Sequence, residues 1–343
     1  MIVKNEINVI RRCLESVRDF IDAWAIVDTG SVDGTQGTVR QTLASIPGEL
    51  IEMPWVDFAV CRNAALTLAR GKADYALFID ADEIFSPKPN FSWPYLDKDC
   101  YFASFLLENS SEIQRLFLAD IRLPWSWKGA LHEQLVAEGE RSGAYLEGAR
   151  IVVTQEGSRS LDPNKYLKDA AMLEKEKDCP RSAFYAALSY DMAREKEKAL
   201  EAYRRRCKMA GWDEELFYSY YRSGCLEEAL GELPFKSLCK AFEARPQRAE
   251  PLHLLAKRCN EKGNPFLAWL LAEFALRLPF PKDRTFVEGE VYEYKLLIQK
   301  ADAATLLGRR AEAFRIMGEI LTKKGLPPEK RRLIERLKTP PLD

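Results

Sequence analysis

From about Leu161 onward one spacing recurs that only stacked helix pairs accommodate. Ala187, Tyr190, Ala199 and Tyr203 follow one another at intervals of 3, 9 and 4. Ala256, Cys259, Ala268 and Ala272 repeat those intervals, as do Ala301, Ala304, Ala313 and Met317. Small residues at the first and third positions let two antiparallel helices approach closely. One such pair cannot bury its apolar face alone, so this half of the chain is constrained to an all-α solenoid. Ala187 and Ala256 lie 69 residues apart, close to two periods of about 34. A degenerate unit near Tyr221 to Phe242 is expected between them. The Pro-containing insert Pro279 to Gly289 stretches the third unit.

The first half has a different grammar. Up to about Val153, strand-like and helix-like segments alternate. Ala25-Ile26-Val27 is a short apolar run stopped by Asp28-Thr29-Gly30-Ser31, and Ser31 or Asp33 is placed to cap a helix from about Gln36 to Ile46. Phe58 to Ala69 has apolar residues at helical spacing, and Tyr75 to Ile79 is a second apolar run ending at Asp80-Ala81-Asp82-Glu83. Such alternation predicts a parallel sheet covered on both faces, with ligands beyond the carboxyl ends of its strands. Asp28 and the Asp80/Asp82 pair both sit at such ends. Gly157 to Asn164 is rich in Gly, Ser, Asp and Pro and marks the expected boundary, giving domains 1–157 and 158–343.

Composition narrows the function classes. The chain has 343 residues, 47% hydrophobic and 30% charged, with a formal net charge of −1. That balance suits two soluble domains and provides no global basic field for nucleic acid or an anionic bilayer. The basic runs at 204–206 and 330–332 are interleaved with acids and read as solvated faces. No run approaches the roughly 18 apolar residues of a membrane span, and the opening MIVKNEINVI lacks signal-peptide organisation. Eight cysteines stand singly without a CxxC pair, which reads as reduced core thiols and a cytoplasmic location.

Asp80-Ala81-Asp82 is the sharpest chemical signal. Two carboxylates one residue apart can share a hard divalent cation, Mg²⁺ or Mn²⁺, and the diphosphate bound to it. In an acidic loop this pattern is ordinarily solvated surface; here it closes five apolar residues. His132-Glu133 is the second signal: a neutral imidazole could complete a metal shell, and the carboxylate could take a proton from an acceptor. A hydrogen-bonded His in a half-buried strand is the plainer reading. Arg62-Asn63 could meet a phosphate or base, or lie in a structural ion pair. Lys4 could neutralise diphosphate charge or simply be exposed. Trp125 and Trp127 suit either sugar stacking or core filling, and His253, in a repeat helix, reads as structural.

In their order along the chain, these pieces resemble a known family. Met1 to Glu6, Val27 to Thr35, Arg62-Asn63, Ile79 to Glu83 and Leu131 to Glu133 resemble family 2 glycosyltransferases of the GT-A (Rossmann-like) fold. The pairing of such a domain with C-terminal tetratricopeptide-like repeats resembles bacterial enzymes that include peptide S-glycosyltransferases. Arg181 to Tyr185, Gly211 to Glu215, Arg245 to Glu250 and Phe286 to Glu288 resemble recurrent phrases of that subgroup. The resemblance implies an α/β nucleotide-sugar domain using a donor such as a UDP-sugar. It implies that Asp28 meets base or ribose, with Ile2, Lys4 and Asn5 lining the same pocket and Arg62 and Asn63 near base or diphosphate. Asp82 would ligate the metal, Asp80 would reach ribose or metal, His132 would touch metal or diphosphate, and Glu133 would be the base. Many relatives have a Glu-Asp pair where His132-Glu133 stands.

The expected reaction is a metal-dependent, inverting sugar transfer to a glycan, peptide or protein acceptor, docked on the repeats. The first strand, limited to Met1–Val3, is expected to be short and the sheet correspondingly weak. One rival is a repeat scaffold with an inactive GT-A domain. Another, a nucleotidyltransferase, loses ground because no Gly-rich phosphate loop is present. The sequence assigns neither the sugar, the acceptor nor the oligomeric state.

Overall fold

The computed structural model describes residues 1–107, 112–283 and 286–338. The chain divides into two compact units, Met1–Leu173 and Glu174–Asp343. The first runs β1 (Ile2–Val3), α1 (Ile10–Val17), β2 (Trp24–Asp28), α2 (Thr35–Thr42), β3 (Gly48–Glu52) and α3 (Phe58–Ala69). It continues through β4 (Tyr75–Leu77), β5 (Glu83–Phe85), β6 (Cys100–Leu106), β7 (Glu112–Asp120), β8 (Ser126–Lys128), β9 (Gln134–Val136), β10 (Gly143–Val153) and α4 (Lys165–Leu173).

Local chemistry accounts for several of these elements. In α1, Ile10, Cys13, Leu14 and Val17 fall on one face and are all buried. Asp57 caps α3 by accepting the Val60 N–H at 2.7 Å. Helix α2 is shorter than the expected Gln36–Ile46 and stops at Thr42, five residues ahead of Pro47, whose ring disfavours helix in the residue before it. Its N-cap is Gly34, at φ 95°, so Asp33 acts one residue early, accepting the Thr35 N–H at 3.0 Å.

The single parallel sheet expected from the alternation is not formed. β1, β2 and β3 make a three-stranded parallel sheet, and a separate five-stranded sheet has the order β4-β7-β6-β10-β5. Within the second sheet only the β6–β10 pair is parallel. Val3, Ile10, Leu14, Ile26, Val39 and Leu43 form the core beneath the first sheet. Phe85, Phe105, Phe117, Leu146 and Ile151 form the core of the second. Because β4 is an outer strand with β7 on one side only, Tyr75 to Phe78 are half-buried; the expected fully buried run reaches full burial at Ile79.

The second unit is helical, as the intervals require. Its pairs are α5 (Pro180–Met192) with α6 (Lys196–Arg206), α7 (Asp213–Ala229) with α8 (Phe235–Ala244), and α9 (Glu250–Glu261) with α10 (Pro265–Ala275). A π turn at Val291–Lys295 leads into α11 (Leu296–Leu306), which pairs with α12 (Arg310–Leu321) before α13 (Pro328–Lys338). Ala187, Ala199, Ala256, Ala268, Ala301 and Ala313 are all buried between helices. The degenerate unit expected at Tyr221 to Phe242 falls on α7 and α8.

Of the insert Pro279–Gly289, positions 284 and 285 lie outside the described residues; the remainder is pinned by buried charge. Arg248, Glu250 and Asp283 are each at most 2% exposed at the side chain. Arg248 donates to Glu250 Oε1 at 2.8 Å and to Asp283 Oδ2 at 3.0 Å. Glu250 Oε1 also accepts the Glu288 N–H, and its Oε2 accepts the Tyr292 hydroxyl.

Candidate active site

The ends of β1 and β2 are clasped together by side chains that the turn residues supply. Asn5, at φ 56°, donates its N–H to Ser31 Oγ at 2.8 Å, and its Oδ1 accepts the Val32 N–H at 2.9 Å. The Glu6 N–H donates to Thr35 Oγ1 and the Ile7 N–H to Asp33 Oδ2. Asn5 therefore stitches two loops, Ile2 pairs with Val27 inside β1, and Lys4 is exposed beside them.

Asp28 closes β2 and is fully buried. Its Oδ1 accepts the N–H groups of Gly30 and Ser31 at 2.9 and 2.8 Å, an Asx turn that Gly30 permits at φ 105°. Its Oδ2 is buried with no hydrogen-bond partner. A buried carboxylate oxygen without a donor is costly, and a ligand hydroxyl or ring N–H would satisfy it.

Arg62, on α3, bridges two carboxylates that are distant in sequence. Its Nη2 donates to Asp80 Oδ1 at 2.8 Å and its Nε to Glu133 Oε1 at 2.5 Å, with side chains 14%, 33% and 10% exposed respectively. The guanidinium also lies 5.2 Å from the Trp127 ring centroid. Burial alone would raise the Asp80 carboxyl, but Arg62, helped by Arg115, holds it below the usual carboxylate range. Asn63 has a positioning role: it donates to Trp127 O and accepts from Trp127 N–H, fixing β8 against α3. Trp125 is core, and Trp127 packs edge-on against Phe78.

A second acidic group lies at the end of the first unit's chain. Asp82 Oδ2 accepts the Gly157 N–H at 3.2 Å, and Glu6 Oε2 accepts the Ser158 N–H at 3.1 Å. A Cβ at position 157 would lie 2.9 Å from Asp82 Oδ2, so a larger residue there would push this carboxylate aside. Burial, with Asp82, Asp33 and Asp80 adding negative charge, pushes Glu6 up to about 7. Glu83 is likewise pushed up to about 7 by burial and the neighbouring Asp80, although Arg115 bonds its Oε1. Neither contact is legible in sequence: Glu6 closes the opening Lys4-Asn5-Glu6 run, and Gly157 opens a linker-like stretch.

The sequence-derived residues therefore come together in part. Arg62, Asp80, Glu133, Trp127 and Asn63 form one cluster, while Glu6 and Asp82 meet the chain at Gly157 and Ser158. His132 is exposed, with φ 54°. Among the described residues no three of His, Cys, Asp and Glu gather as a metal-holding group. The oxygen donors of Asp80 and Asp82 suit a hard cation that keeps its waters and takes the rest of its shell from substrate phosphate. They fit an ion arriving with a diphosphate, not one caged by protein alone.

Fold and site together define an α/β unit of Rossmann-like build, its acids gathered at strand ends, followed by a tetratricopeptide-like helical unit. Residues 1–91 match the family described as Glycosyl transferase family 2. A TPR repeat-containing protein of Synechococcus elongatus is 39% identical over 84 residues, covering 24% of this chain. The chain spans 19% of that relative's length. Among solved structures, the MamA protein aligns with a TM-score of 0.37 at 13% identity, over 52% of this chain and 87% of its own. All eight cysteines are free thiols, and no helix among the described residues is long and apolar enough to cross a membrane.

Proposed function

We propose that residues 1–157 form the catalytic domain of a hexosyltransferase-like enzyme that moves a sugar, with inversion, from a UDP-sugar to an acceptor. The observation that carries this is Asp28 Oδ2, buried and unpartnered at a strand end of the family 2 segment. Asp28 would receive the base or ribose, with Ile2, Lys4 and Asn5 shaping that pocket and Asn63 holding Trp127 in place. Asp82, with Asp80 behind it and His132 nearby, would hold Mg²⁺ or Mn²⁺ together with the donor's diphosphate. The ion would supply compensation for charge developing on the leaving diphosphate.

Arg62 gives the chain a second cation for that task. In the ligand-free arrangement it rests on Asp80 and Glu133. Turning toward the diphosphate would release Glu133, which then takes the acceptor's proton as the acceptor's lone pair bonds to the anomeric carbon. The bond from that carbon to the diphosphate oxygen breaks on the opposite face, and its electron pair leaves with the nucleotide. Residues 158–343, as helical repeats, would dock a glycan, peptide or protein acceptor in the cytoplasm. The rival scaffold reading draws on the division of the first unit into two sheets.

A screen of nucleotide sugars with Mn²⁺ and with Mg²⁺ tests the proposal, comparing the natural chain with Asp82→Ala. One donor should turn over, and the substitution should lower the rate by about 100-fold or more with the melting curve unchanged. Full activity in the variant removes the metal role. Failure of every donor, together with no heat on titrating uridine diphosphate and Mn²⁺, leaves the scaffold.

A further inference from the structure

The helical unit holds a cavity of about 410 Å³ lined from α9, α11, α12 and α13, a size that suits a small-molecule ligand. Its floor is apolar and closed: Ala301, Met317, Ile320 and Ile334 are each at most 7% exposed. Its rim is apolar and open. Leu333 and Leu337, one turn apart on α13, remain 57% and 55% exposed. Water covers this surface at a cost that an aliphatic ligand would remove.

Three cations line the same cavity. Lys257 comes from α9, Lys295 from the turn that opens α11 and Lys330 from α13, with Asp302 as the acid of the lining. Lys295 shares its charge with Glu288 and Glu290 at 3.5 and 3.1 Å, and Lys257 stands 3.6 Å from Glu261. Lys330 is exposed; its ammonium lies 5.1 Å from the Tyr294 ring centroid, with no carboxylate in ion-pair contact among the described residues.

His253 completes the lining and has bonding capacity to offer. It is 8% exposed, and its Nδ1 is buried with no hydrogen-bond partner. Burial first, then Lys295, Lys257 and Lys330, push the imidazole down to about 4. The ring is therefore neutral at neutral pH and sits in a positive field. With its proton on Nδ1 it donates to an oxygen acceptor, and the field favours an acceptor that brings negative charge.

The apolar floor selects against a peptide. A peptide would bring N–H and C=O groups that this floor cannot pair. Gln299, the neutral amide of the lining, already has its Oε1 3.3 Å from Asn260 Nδ2. A hydrocarbon tail needs no such partners.

We propose that this cavity binds a single aliphatic chain carrying an anionic head, with the head received by His253 Nδ1 and Lys330. The tail lies over Ile320 and Ile334 and covers Leu333 and Leu337.

Calorimetric titration of the full chain with decanoate, decyl phosphate and decanol, each below its aggregation limit, tests this. One of the two anions should bind, the tighter of them naming the head, and decanol should bind at least about tenfold more weakly. Lys330→Gln and Leu337→Ser alter exposed side chains. Each should weaken the anion about fivefold or more with the melting midpoint unchanged. The chain has two histidines, so ring resonances give a second readout: the anion should shift those of His253 and leave those of His132 in place. Failure of both anions overturns the proposal. So does decanol binding as tightly as decanoate, or anion binding that moves neither the His253 ring nor the Lys330→Gln affinity. If both anions fail while an apolar peptide with an acidic end binds, or while Leu337→Ser abolishes self-association, the cavity belongs to that partner and the proposal falls.

Discussion

Each unit holds arginines against buried carboxylates, and the two networks differ in how much of their capacity is spent. In the helical unit, Arg248, Glu250 and Asp283 are sealed, and both oxygens of Glu250 and of Asp283 have donors. In the α/β unit, Asp28 leaves Oδ2 without a donor and Asp80 stays one-third exposed beneath Arg62. The first network ties an insert to its helices. The second leaves polar capacity unspent at Asp28 Oδ2.

The sharpest way to break this contrast is Arg248→Met. It leaves buried Glu250 without its arginine and Asp283 with Arg245 alone, and should cost the helical unit about 3–5 kcal/mol in denaturant unfolding, leaving nucleotide binding intact in whatever fraction stays folded. A loss below about 1 kcal/mol would show that the network is not sealed as described. Next in size is Asp28→Asn. The amide keeps an oxygen for Gly30 and Ser31 and changes only the idle position, so uridine diphosphate affinity should fall about tenfold, equivalent to about 1.4 kcal/mol, with the melting midpoint little changed. Unfolding of the variant would place Asp28 with the structural ions instead.

A further contrast is a pair of opposed pH slopes. Glu6 and Glu83 have folded values near 7, raised from 4.5, so the folded α/β unit binds more protons than the unfolded chain between those values. These two groups lower its stability as pH rises from about 4.5 to about 7. His253, in α9, is pushed down by burial and by Lys295, Lys257 and Lys330, from 6.5 to about 4. There the unfolded chain binds the extra proton, and stability is lost as pH falls from about 6.5 to about 4. Amide exchange followed separately in each unit should show Glu6→Gln flattening the first slope and His253→Asn the second. Slopes of the same sign would remove the distinction.

What the sequence revealed follows from the range of each signal. The Phe58–Ala69 helix, the acids after Tyr75 and the alanine intervals are local patterns, and local patterns survive into structure. The pairing of Arg62 with Glu133 spans 71 residues and carries no periodicity, so ligand contact and ion pair stayed equal alternatives for Arg62. Asn63 binding Trp127 was hidden for the same reason. The division into two sheets depends on which strand edges meet, which alternation of strand and helix does not encode. Glu6 acquires its proton affinity only from acids that folding brings near it.

Gly157 and Ser158 carry a last consequence. Their N–H groups hold Asp82 and Glu6 just where the chain leaves the first unit's strands. A proteolytic nick at this point would do more than cut a connection: it would slacken two acids at once. Tension along the polypeptide would reach the same pair.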